Sequence, residues 1–121
     1  MNLGRVSSAA LMASGLAGAV MPGRVAAALE LPAVTKRGIA ETRAGLGGTY
    51  AALGGWALVS RDPTAQAAVG LVWLGAAGAR IASLLIDQPE TDDAFWAYLA
   101  VEVALGAGAL VGARRARRKI V

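Results

Sequence analysis

Four apolar runs take up most of this 121-residue chain, each near the length a helix needs to cross hydrocarbon. They cover about residues 3–21, 38–59, 64–86 and 94–113. Pro22-Gly23 ends the first, and the second stops at "SRDP", where Asp62-Pro63 marks a turn. The third runs into the acidic loop "DQPETDD", and the fourth meets a basic tail at 114–121. Hydrophobic residues make up 56% of the chain and charged residues 17%, where a soluble domain carries about 25% charged. A small domain has too much surface for its volume to bury so much apolar material in water. The expected fold is an all-α integral membrane protein, one domain of four transmembrane helices in an antiparallel bundle.

Basic residues orient the bundle. With the N-terminus inside, Arg5, Arg61, Arg114, Arg115, Arg117, Arg118 and Lys119 fall on the cytoplasmic face. Asp87, Glu90, Asp92 and Asp93 fall outside, as the positive-inside rule favours. The first outer loop opposes this with Arg24, Lys36, Arg37 and Arg43, but the balance still predicts both termini inside. In that loop "RVAAALELPAVTKR" alternates apolar residues with charges and contains Pro32. Residues 24–31 read as a short interfacial helix or as an ordinary solvated loop. The first run also has two readings. Arg5, a short apolar stretch and "AGA" at Ala17–Ala19 fit a cleaved secretory signal as well as a membrane span.

Several function classes are disfavoured by composition. No cysteine or histidine is present, so a disulfide framework is excluded and the commonest ligands for metals and haem iron are missing. Five of the twelve basic residues crowd into "RRARRK" directly after an apolar run, the position of a membrane flank rather than of a nucleic-acid patch. No nucleophile elbow, Walker loop or dinucleotide signature occurs. The expectation is a non-enzymatic chain with no cofactor, no metal and no nucleic-acid partner, whose partner is the lipid bilayer. Small residues recur at four-residue spacing: Ala9-Ala13-Ala17, Gly47-Ala51-Gly55, Gly75-Ala79 and Ala104-Gly108-Gly112. Such stripes let helices approach closely in lipid. They serve packing within the bundle or an interface with itself or other membrane subunits.

Charges inside the apolar runs are the candidate site. Arg80 lies seven residues before Asp87, and Glu102 nine residues after Asp93. At 1.5 Å per residue both lie about 10–14 Å from the outer loop. A lone charge there costs about 3 kcal/mol, so the two are expected to pair. Glu41 and Arg43 begin the second run and complete a neutral group of four if one of them turns inward. The group is either a strut or a ligand site. Tyr50 and Trp73 lie deeper and need polar partners or a pocket beside them.

"ETRAGLGGTYAALGGWAL" from Glu41, "LGAAGARIASLLIDQPE" from Leu74 and the late Glu102 resemble the domain of unknown function 4345 family of small bacterial membrane proteins. The matching positions are Glu41, Arg43, Gly47, Gly48, Gly78, Arg80, Asp87 and Pro89. The resemblance implies a four-helix, multi-pass protein of the bacterial inner membrane and no particular activity. Two functions follow from the residues. The first is an accessory or scaffold subunit of a membrane assembly. The second is a binder or transporter of a small molecule, an anion or carboxylate or a lipid or quinone, using Arg80 and Glu102.

Overall fold

The computed structural model describes residues 2–31 and 34–120, and it is all-helical. Pro32 and Val121 lie outside the described residues. In order, the helices are α1 (Leu3–Val20), α2 (Pro22–Ala28), α3 (Lys36–Thr42), α4 (Thr49–Ser60), α5 (Pro63–Ile86) and α6 (Asp93–Ile120). A π-helical turn, Arg43–Gly48, joins α3 to α4. Thr42, Arg43, Gly48 and Thr49 all keep right-handed helical dihedrals. Residues 36–60 therefore form one continuous column, and the bundle has four columns. Three helices, α1, α5 and α6, are each long and apolar enough to cross a membrane.

Local chemistry sets the ends. Asn2 accepts from the Arg5 N–H, Thr35 from Gly38 and Asp62 from Thr64, so each side chain satisfies an N–H left free at a helix start. Pro22 and Pro63 open α2 and α5, where a residue without an N–H loses nothing. Pro22 thus starts α2 as well as following the end of α1. The chain leaves α2 through Glu30 at positive φ, which bounds that helix at Ala28 rather than at residue 31. Arg61, at φ 55°, makes the tight turn between α4 and α5. The basic tail is not a separate segment: α6 continues through it to Ile120. No proline or glycine interrupts 113–120, and arginine and lysine are good helix formers.

α1 stands between its neighbours, antiparallel to α4 and α6 and packed also on α5. Its contacts with α4 are backbone to backbone. A Cβ on Gly15 would meet the Gly47 carbonyl oxygen at 2.6 Å, and one on Gly54 would meet that of Ser8 at 2.6 Å. Toward α6, a Cβ on Gly112 would meet the Gly4 nitrogen at 2.7 Å. Leu11, Ala57, Ala65, Val69 and Ala109 fill the centre where the columns meet.

The spacing-of-four stripes serve this packing only in part. Gly47, Ala51, Gly108 and Gly112 lie in seams with α1, but Ala9 and Ala13 are exposed and α1 packs through Gly15 and Gly18 instead. Gly75, Gly78 and Ala79 face outward, and a Cβ on either glycine would meet nothing.

Gly47→Ala and Gly54→Ala should each lower the melting temperature in detergent, by the equivalent of about 1–3 kcal/mol for overpacking. Gly75→Ala and Gly78→Ala should leave it unchanged or raise it, since alanine is about 1 kcal/mol better than glycine in an open helix. Circular dichroism on the four variants separates the two classes.

Candidate functional site

Arg80 and Glu102 meet face to face. The Arg80 Nε donates to Glu102 Oε2 at 3.0 Å and Nη2 to Oε1 at 2.7 Å. This is the two-pronged geometry that makes arginine–carboxylate pairs strong. Antiparallel packing of α5 on α6 brings the two positions level. The Glu102 side chain is 9% exposed and that of Arg80 23%.

Aromatic rings complete the setting. The Arg80 guanidinium carbon lies 5.3 Å from the Phe95 ring centre and 5.6 Å from that of Tyr98. Both distances suit attraction between a cation and the negative face of a ring. Tyr98 donates its hydroxyl to the Ala28 carbonyl at 3.3 Å, tying α6 to the end of α2. Phe95, Tyr98 and Glu102 recur at spacings of three and four, which puts them on one helix face. That spacing is the sign in the sequence that the rings belong with the ion pair.

Glu41 and Arg43 do not join this group. Glu41 accepts from Arg37 Nε, one turn earlier, at 2.6 Å on the exposed face of α3. Arg43 donates instead to the carbonyl of Ala19 at the end of α1. The reason is packing: α3 rests on α2 and the π turn, and the π turn rests on α1. A neutral group of four is replaced by one buried pair, one surface pair and one cation on a backbone carbonyl.

Tyr50 and Trp73 do border a cavity, of about 380 Å³. Arg80 and Glu102 lie in the same wall, and Leu46 of the π turn and Val72 are among the apolar residues. The π turn packs on α1 and has no comparable contact with α5, and the space between the turn and α5 is walled by α2 through Val25 and Ala28. Trp73 does not aim its N–H at the cavity, for it donates to the Ser7 carbonyl at 3.3 Å. Ser7 in turn donates its hydroxyl to the Leu105 carbonyl at 2.6 Å. Ser7 and Ser8 are almost fully buried, and neither stood out in the sequence, where serines in an apolar run look incidental.

Chemically the cavity is an apolar chamber with a neutralised ion pair at one end. Among the described residues no three acidic side chains converge as a metal site would need, and the chain has no histidine or cysteine. No protein-family model, no curated protein and no solved structure matches the chain. The resemblance to the four-helix membrane family therefore rests on the residues quoted for it.

Arg80→Leu or Glu102→Leu alone leaves a buried charge without its partner and should lower stability in detergent by about 3 kcal/mol or more. The double leucine variant should recover much of that loss. A double-mutant cycle measured by thermal or denaturant unfolding reads the coupling directly. Strictly additive losses would mean that the contact contributes nothing to stability.

Proposed function

We propose that this chain is a four-span, non-enzymatic protein of a bacterial inner membrane, with both termini cytoplasmic, that holds a neutral lipid-like molecule in the cavity beside Arg80 and Glu102. The cavity carries the proposal: its lining is mostly apolar, and the only full charges in it cancel each other. An anion or a free carboxylate would have to displace Glu102 from a two-pronged contact to reach Arg80. A long apolar molecule with an uncharged polar end, such as a lipid tail or an isoprenoid quinone, need displace nothing. Tyr50 can offer its hydroxyl to that polar end, and the aromatic faces suit a flat ring. Beneath the cavity the tightly packed Leu11 and Val69 close the way onward, which favours a binder over a transporter.

Several features support the bilayer placement. Large apolar side chains stand exposed around the bundle, among them Val59 at 87% and Leu85 at 80%. The column 36–60 is about 37 Å long at 1.5 Å per residue, enough for a fourth crossing. One observation favours a second role, that of an accessory subunit. The outward Gly75-Gly78 face of α5 would admit another helix at close range.

Native mass spectrometry of protein extracted in mild detergent should show a retained small molecule of lipid or quinone mass. Ala76→Trp, which fills the cavity, should reduce that adduct at least tenfold while the protein stays folded. No adduct on the wild type, or one indifferent to Ala76→Trp, would end this reading. A reporter active only in the periplasm should be silent when fused at the C-terminus; activity there would reverse the orientation.

A further inference from the structure

The opposite end of the bundle holds a second set of features that the cavity at Arg80 does not use. Gln66, in the first turn of α5, is 3% exposed, and its Oε1 has no hydrogen-bond partner. A buried amide oxygen left unmade costs about 1–3 kcal/mol. The Gln66 amide lies over Gly4 of α1, where a Cβ would meet the amide carbon at 2.8 Å. It also lines a cavity of about 300 Å³, bordered by Arg5 and Arg61. A neighbouring cavity of about 410 Å³ is bordered by Arg115 and Lys119 of α6. Asn2 and Ala116 belong to both walls, so the two spaces adjoin.

The charge of this double cavity is one-sided. Four cations border it, and no aspartate or glutamate lines either half. The nearby Asp62 carboxylate is engaged, accepting from the Thr64 N–H at 2.8 Å. α1 and α5 begin at this end and α4 and α6 finish at it, so the helix ends offset one another and the positive field comes from the side chains. Arg5 reaches across to the Leu58 carbonyl at 3.4 Å, which leaves most of its donors free.

We infer that this end of the bundle is a specific site for the headgroup of a diphosphatidylglycerol-type lipid, two phosphodiesters joined by a glycerol. Each half offers two cations, which matches one phosphate per half. The Gln66 amide stands in the wall of one half beside Asn2, which borders both, and suits the hydroxyl of the glycerol that links the phosphates. Basic pockets between membrane helices are established places for such headgroups. The inference rests on the reading that the bundle lies in a bilayer, and it is independent of what occupies the Arg80 cavity.

The test is lipid retention by the full chain in nanodiscs, read by native mass spectrometry. Diphosphatidylglycerol is compared with phosphatidylglycerol at equal total charge, with phosphatidylcholine as the uncharged arm. The diphosphate lipid should be retained at least tenfold better than the monophosphate one. Arg61→Ala and Lys119→Ala, one from each half, should each weaken retention about fivefold, the equivalent of about 1 kcal/mol per cation. Gln66→Leu should weaken it without lowering the melting temperature, because the leucine removes a buried oxygen that has no partner. Inorganic phosphate at millimolar concentration should not displace the lipid; full displacement would assign the cavity to a soluble phosphate and overturn the inference. Equal retention of the two anionic lipids, or indifference to all three substitutions, would overturn it too. A chain that fails to enter nanodiscs would overturn the bilayer reading itself, and this site with it.

Discussion

Backbone contact between α1 and the helices on either side of it is the constraint on which the rest of this protein depends. Gly15, Gly47 and Gly54 leave room for α1 and α4 to touch without side chains between them. Gly4 and Gly112 do the same toward α6 at the other end. In lipid, helices gain little from apolar contact as such, so close packing of this kind carries much of the association. α1 packs on the π turn as well as on α4 and α6, whereas α5 packs on α4 and has no comparable contact with the π turn. The chamber beside Tyr50 and Trp73 is what that arrangement leaves open.

Ser7 sharpens the same constraint. Its carbonyl receives Trp73 from α5 while its hydroxyl donates to Leu105 on α6. A rotation of α1 about its axis would break both bonds together, so this one residue locks the angle at which α1 faces the bundle. The ion pair at Arg80 does comparable work higher up, holding α5 and α6 in register. Between them these contacts tie three columns at two levels, and the π turn is left to the fourth.

Depth was legible in the sequence, and direction around a helix was not. Counting from the loops placed Arg80 and Glu102 at one level because α5 and α6 are unbroken helices with a constant rise. Glu41 and Arg43 stand at the outer end of the second run, and their joining the pair required one of them to turn inward. Which way each points depends on the face that α3 and the π turn present to α1, and no spacing in one helix records that. Gln66 eluded notice for a related reason. Near a helix start it looks solvated, and its burial comes from the missing side chain of Gly4, far away in sequence. The Gly75-Ala79 stripe resembles the packed stripes in every respect except that its face happens to point outward.

The continuous helix through the basic tail has a mechanical consequence. Its residues follow one another at about 100° of rotation, so Arg114, Arg115, Arg117, Arg118 and Lys119 spread over about 200° of α6, and the remaining arc holds Gly112, Ala113 and Ala116. In a bilayer that forms a half-collar, open on the side where Ala113 packs into the bundle. Any inward slide of α6 would drag at least one guanidinium toward hydrocarbon, at about 3 kcal/mol near the centre. At the far end Asp92, Asp93 and the Trp96 ring resist travel the other way. α6 is thus stopped at both ends like a bolt between two washers. In a bilayer the motion this leaves to α6 is tilting.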